Sequence, residues 1–439
     1  MPLPRRRFLS LLAGSPALAM TPSHAAESDP AEMAHVPWSR HAAIYQVNVR
    51  QYTAEGTLAA AMADLPRLKA MGVDILWLMP LQPIGQVDRK GTLGSYYSIR
   101  DYTAVNPEFG TLADARAFVQ AAHAQGMKVI LDWVANHTAF DHPWTREHKD
   151  WYKLDAHGEI FPVTFNAGQA NEEHWSDVTA LNYDRPALRD AMIAAMQFWV
   201  REVDLDGFRC DVASLVPTPF WERARRELDA AKPMFMLAES DAPDLHRTAF
   251  DMTYSWDLAD VFKRIGKDQA GAQALRDWVA KEPHGYPASA YRMRFTSNHD
   301  FNSWHGTDAE LYGAAYLPLA VLTFTLPGMP LVYGGQEARL AKRLEFFEKD
   351  PIAWKTRELQ PFYTGLFALK HSHPALGNGQ YGGALRLLDV GNDKLFAFER
   401  VLAADRLTVV VNVTDAPQTL RLGGVEHRLP ASGWRIDTA

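Results

Sequence analysis

Apolar runs alternating with amphipathic helical stretches predict an α/β fold. Three observations narrow it to a (β/α)8 TIM barrel with a short subdomain inserted after strand 3 and a C-terminal antiparallel β-sandwich domain. Eight candidate strands follow one another between residues 44 and 334, with helical patterns interspersed. Several of them end in a carboxylate or a histidine, the place where a parallel barrel puts its chemistry. Beyond Pro374 the helical period gives way to short β runs.

The elements follow in order. Residues 1–26 read as an export signal rather than as fold. Arg5-Arg6-Arg7-Phe8-Leu9 leads into an apolar run too short to span a membrane, then into the small residues Ala25 and Ala26. The Arg-Arg-x-Phe-Leu pattern is of the twin-arginine type and predicts a periplasmic or secreted protein. The barrel is expected over 36–373. Ala43–Val49 is its first strand, Leu58–Met71 a helix ending at Gly72, and Val73–Met79 a buried strand stopped by Pro80. A Gly- and Tyr-rich loop, a helix from Leu112 to Gln125 and a third strand, Lys128–Trp133, come next. Five further strand candidates end at Asp211, Glu239, Trp256, His299 and Gly334. The aromatic, His- and Asn-rich stretch 139–185 is too long for a plain barrel loop and reads as a subdomain over the barrel mouth. Residues 374–439, with runs such as Leu407–Val413, form the β domain.

Composition excludes several functions. A net charge of −7 argues against a nucleic-acid partner. The single cysteine, Cys210, rules out an internal disulfide framework and sits where a strand needs a small packing residue. An aromatic share of 11%, with 13 Trp and 15 Tyr, supplies flat apolar faces with polar edges that suit sugar rings. No stretch after the export signal reaches the length of a membrane span.

The chemistry centres on Asp206-Gly207-Phe208-Arg209-Cys210-Asp211. Taken alone, an Arg-x-Asp pair at the end of a buried strand is a structural ion pair. Here it has company: Asp132-Trp133-Val134-Ala135-Asn136-His137, Leu237-Ala238-Glu239 and Phe295-Thr296-Ser297-Asn298-His299-Asp300, each at a strand end. In this order the four segments resemble the four signature regions of the α-amylase family, glycoside hydrolase family 13. The resemblance implies an α-glucan or maltooligosaccharide substrate, with Asp211 as nucleophile, Glu239 as general acid/base and Asp300 as the carboxylate that grips sugar hydroxyls. It makes His137, His299 and Arg209 substrate-site residues. It gives Tyr97, or its neighbour Tyr96, the role of stacking on the reacting sugar. Asp132 supports the site's hydrogen bonds, and Asn136, with Asp177, is a candidate ligand for a structural calcium; the chemistry itself requires no cofactor.

The residues fit that chemistry. A retaining glycosidase needs one carboxylate to attack and one carboxylic acid to protonate the leaving oxygen, roughly 5 Å apart. Arg209, two residues before Asp211, points to the same side and is expected to keep it anionic. Glu239 follows the apolar run Met234–Ala238, and burial is expected to raise its pKa. Asp74 and Asp206 are read as structural. Where many amylases carry Lys-His after the nucleophile segment, this chain has Ser214-Leu215, and before Leu181-Asn182 it has Ala180. Two alternatives stand beside hydrolysis: a transglycosylase or sucrose/trehalose-type isomerase on the same scaffold, and a non-catalytic sugar-binding or transporter-accessory protein. The last would usually have lost a carboxylate, and all three are present.

Overall fold

The computed structural model describes residues 33–438 except residue 171, so residues 1–26, expected to be an export signal, lie outside the described residues. Strands β1 (Ile44–Val47), β2 (Ile75–Leu78) and β3 (Lys128–Trp133) open a barrel. An insertion then contributes β4 (His137–Ala139), β5 (Pro162–Phe165) and β6 (Glu173–Ala180). The barrel resumes with β7 (Gly207–Cys210), β8 (Phe235–Ala238), β9 (Met252–Tyr254), β10 (Tyr291–Arg294) and β11 (Met329–Tyr333). The eight barrel strands pair in the closed order β1-β11-β10-β9-β8-β7-β3-β2, all parallel. Ile44 aligns with Ile75 on one side and with Leu331 on the other, so no edge remains.

Parallel strands covered by helices are buried on both faces, and β1, β2, β7 and β8 are buried at every residue. The covering helices show the complementary stripe. In the helix Leu112–Ala124, Ala115, Phe118, Val119 and Ala122 face inward, and a capping box between Thr111 and Asp114 closes its start. The single helix expected over 58–71 is two, Leu58–Met62 and Leu65–Met71. Pro66 is the reason: it has no N–H to bond the carbonyl of Met62, and its ring would strike that carbonyl. The strand expected to end at His299 stops at Arg294, because residues 295–300 leave the sheet to form the turn that carries Asp300.

In the insertion, β6 lies between β4 and β5 as a three-stranded antiparallel sheet. After the last barrel helix, Gln360–Ser372, come β12 (Ala384–Leu387), β13 (Leu395–Leu402), β14 (Asp405–Asn412), β15 (Gln418–Leu422), β16 (Val425–Leu429) and β17 (Trp434–Thr438). Four of these make an antiparallel sheet, β12-β13-β14-β17, and β15 and β16 form a hairpin. Leu395, Ala397 and Val410 pack with Leu420 and Leu429 of the hairpin, a small second layer. The opposite face, Phe396, Phe398, Val409 and Val411, joins the barrel's own core. Arg400 seals that junction by donating to the carbonyl of Thr325, in the last turn of the helix Tyr316–Thr325, and to that of Gly383. No helix among the described residues is long and apolar enough to cross a membrane.

Candidate active site

Arg209 is fully buried at the C-terminal end of β7, and a charge there must be answered. Its Nη1 lies 2.9 Å from Asp132 Oδ1 on neighbouring β3 and 2.9 Å from Asp211 Oδ1. Its Nη2 lies 2.6 Å from Glu239 Oε1, just past β8. Nε donates to the Tyr254 hydroxyl at 3.2 Å, and the Trp77 ring stacks 5.2 Å from the guanidinium carbon. Burial alone would strip the proton from Arg209, but the charges of Asp132 and Glu239 hold its pKa well above the usual range. One cation thus gathers carboxylates from three adjacent strands.

The carboxylates press on one another. Burial pushes Asp211 well above the ordinary aspartate range, and the Glu239 charge pushes it further against the pull of Arg209. Asp300 rises to about 7 for the same two reasons, and Asp132 to about 6, chiefly through burial. Arg209 does pull Asp211 towards its anion, as the shared strand face predicts, while burial and the Glu239 charge push the other way. Glu239 is held at its other oxygen by the backbone N–H of Val212, 2.7 Å from Oε2. Val212 reaches that position with φ 37°, a left-handed conformation that a β-branched residue adopts only under constraint.

The two histidines and Tyr97 complete the floor. Gln46 Nε2 donates to His299 Nδ1 at 2.7 Å, while Gln46 Oε1 accepts the His299 backbone N–H. This leaves the proton on His299 Nε2, which faces the Tyr97 hydroxyl at 2.7 Å and Asp300 at 3.3 Å. Tyr97 in turn donates to Asp132 Oδ2 at 3.1 Å. Both histidines are kept neutral by burial, His137 down to about 3 and His299 well below its ordinary value. Tyr97 lines the cavity, whereas Tyr96 is buried under the Arg50 guanidinium, 4.2 Å from its ring.

The amide of Asn136 donates to His137 Nδ1 at 3.1 Å, so it orients that imidazole, and Asp177 is ion-paired to Lys90 at 3.1 Å. Among the described residues no group of three His, Cys, Asp or Glu side chains could hold a metal. Asn136 and Asp177 are each engaged through one atom only, and Asp177 Oδ2 is buried without a hydrogen-bond partner.

Asp211, Glu239, Asp300, His137, His299 and Tyr97 all line one open cavity of about 920 Å³. That is the upper part of the ~300–1,000 Å³ range of drug-sized ligand pockets, room for several linked sugars rather than one. The α-amylase catalytic-domain model matches residues 21–254, more than half of the chain. The chain belongs to the α-amylase family. A solved α-amylase from Lactobacillus plantarum superposes with a TM-score of 0.81 at 31% identity, covering 92% of this chain and 99% of that one. An α-amylase of Haloarcula japonica is 28% identical over 88% of this chain and 57% of its own length. An α-1,4-glucan:maltose-1-phosphate maltosyltransferase of Rhodospirillum rubrum is 26% identical over 89% and 59% respectively. The chain thus spans a little under three-fifths of the length of these two relatives.

In this α-amylase-family site, several residues escaped the sequence reading. Gln46 lies inside β1 and Tyr254 ends β9, and a polar group within an otherwise apolar strand was the available signal for both. Trp304, Phe346 and Trp175 also line the cavity. They come from separate parts of the chain, Trp175 from β6 and Trp304 from the turn after Asp300, and spacing carries no sign that they converge.

Proposed function

We propose that the protein is a retaining glycoside hydrolase that cleaves α-1,4-glucosidic bonds in starch or maltooligosaccharides. The observation that carries this reading is the Arg209 guanidinium, which lies within 3 Å of both Asp211 and Glu239. Two carboxyl groups sharing one guanidinium are close enough to work on a single anomeric centre by double displacement. The reaction requires Asp211 as the carboxylate and a proton on Glu239. Asp211 forms a bond to the anomeric carbon as the glycosidic C–O bond breaks, and Glu239 gives its proton to the departing oxygen. Water then attacks the same carbon, Glu239 takes the water's proton, and the carboxylate of Asp211 leaves. Asp300, His299 and the neutral His137 hold the sugar's hydroxyls, while the Tyr97 ring covers its apolar face.

Maltosyl transfer involving a phosphate ester, suggested by the name of the Rhodospirillum relative, would call for a cation beside the leaving phosphate. The cavity wall near Glu239 is made by Val212, Ser214, Leu215, Ser240 and Asp241, and the lining lysine, Lys90, is already paired with Asp177. This favours an uncharged leaving group. Following maltoheptaose over time by chromatography tests the proposal. Shorter sugars released as α-anomers are expected, with Asp211→Asn slower by on the order of 10⁴-fold. Full activity in Asp211→Asn would sink the assignment, and products longer than maltoheptaose would turn it towards transglycosylation. The sequence of residues 1–26 leads us to place the reaction in the periplasm or outside the cell. Recovery of a protein shortened at its N-terminus from that fraction checks this.

A further inference from the structure

We propose that Gln46, inside β1, is a positioning residue: it decides which ring nitrogen of His299 carries the proton. Through that choice it sets the direction of a hydrogen-bond chain that runs across the barrel mouth to Arg209. Gln46 is fully buried, and its backbone is held in register with Trp77 on one side and Tyr333 on the other. Both ends of its amide meet His299. Oε1 lies 3.3 Å from the His299 backbone nitrogen, and Nε2 lies 2.7 Å from Nδ1 of the same residue. A backbone N–H can only donate, so the oxygen must be the end that faces it. The NH2 end is then left for Nδ1, and an NH2 group also only donates. Nδ1 therefore keeps its lone pair, and the ring's one proton sits on Nε2. One backbone group thus fixes the tautomer of a buried imidazole.

The chain that follows has a single sense. His299 Nε2–H donates to the Tyr97 oxygen at 2.7 Å, with Asp300 Oδ2 3.3 Å from the same nitrogen. Tyr97 donates its own proton to Asp132 Oδ2 at 3.1 Å, and Asp132 Oδ1 accepts from Arg209 at 2.9 Å. The opposite tautomer would break this order at both ends. Nδ1–H would point at the Gln46 NH2, and turning the amide over would set that NH2 against the backbone N–H instead. Nε2 would then need the Tyr97 hydroxyl proton, which would leave Asp132 Oδ2 with the Trp77 indole alone. Rotation of the ring offers no escape. The Tyr97 ring stacks on it at 5.6 Å, and the Trp77 ring meets it edge-on at 5.9 Å. Full protonation is opposed in the same way, since an imidazolium would place a second donor against the Gln46 NH2. Burial and the Arg209 charge act in the same sense. What His299 offers a bound sugar is accordingly an N–H donor without a positive charge.

Histidine ¹⁵N spectra of the full chain read the proton directly, with the His299 signals recognised by their absence in His299→Asn. In the wild type, Nδ1 is expected unprotonated and Nε2 protonated, without change between about pH 5 and pH 8. Gln46→Glu keeps an oxygen for the backbone N–H and replaces the NH2 donor by an acceptor. Side-chain position would be preserved and proton placement would not. Nδ1 is expected to gain a proton, and kcat/KM on α-glucosyl fluoride to fall by about tenfold or more. Gln46→Met, which offers neither donor nor acceptor, keeps the test open if Gln46→Glu fails to fold. It is expected to show signals from both tautomers. A wild-type proton on Nδ1, an unchanged tautomer in the folded variant, or wild-type kcat/KM in Gln46→Glu would each overturn the proposal. The kinetic arm rests on the glycosidase reading, but the spectra need no substrate. A wild-type protein with the expected tautomer that turned over neither α-glucosyl fluoride nor maltoheptaose would sink that reading alone.

Discussion

Arg209 holds its charge without water around it, and three carboxylates answer it at once. The consequence is that no acid in the site titrates alone. Glu239 is the second cause, after burial, of the raised pKa of both Asp211 and Asp300. Glu239→Gln removes that negative charge, so both pKa values should fall, and the nucleophile should ionise at lower pH. Fluoride leaves without a proton donor, so the variant remains measurable on α-glucosyl fluoride, and the acid limb of its kcat/KM profile should move to lower pH than in the wild type. A limb that stayed in place would mean Glu239 does not set the charge of Asp211. At this scale the sequence was informative where side chains alternate along a strand. Arg209 and Asp211, two residues apart, do share a face. It was silent about the charges that reach Asp211 from neighbouring strands, because an Arg-x-Asp pair names only the residues of its own strand.

Between β7 and β8 the limiting residue is Gly207. A methyl group placed on it would lie 1.9 Å from the carbonyl oxygen of Phe235 on the next strand, and backbone cannot turn aside as a side chain does. Gly207→Ala should therefore force apart the two strands that hold Arg209 and precede Glu239. The expected cost is about 3 kcal/mol, near the upper end of the usual cost of overpacking. Thermal unfolding checks this; a melting temperature within a degree of the wild type would show that the strands can yield. The existence and order of the barrel strands were legible, because parallel strands buried on both faces leave uninterrupted apolar runs. Their ends were less so: β10 finishes at Arg294, and the chemistry beyond it stands on a turn. The convergence of Tyr97, Trp304 and Phe346 on one cavity was not legible at all, since they are far apart in the chain and their loops are tied by single side-chain and backbone hydrogen bonds.

Across the whole molecule, the C-terminal sheet is shared property. One face covers its own hairpin and the other completes the barrel's core, with Arg400 bonded to the end of the helix Tyr316–Thr325. That helix is buried along its whole length. A chain cut after residue 373 would leave part of its covering in water, and the expected outcome is insoluble protein rather than a smaller enzyme. Calorimetry of the full chain should show one transition; two well-separated transitions would mean the β module folds by itself. Part of this could be read in advance, because Leu395–Phe398 and Val409–Val411 are apolar at consecutive positions, and a sheet with one wet face would alternate. Closure of the barrel has a consequence in time as well. The first strand, β1, gains its second neighbour only when β11 exists, and about 285 residues separate Ile44 from Met329. At synthesis rates of about 5–20 residues per second, the nascent chain carries an unpaired, largely apolar edge for roughly 15–60 s. During that interval its survival depends on whatever escorts it from the ribosome.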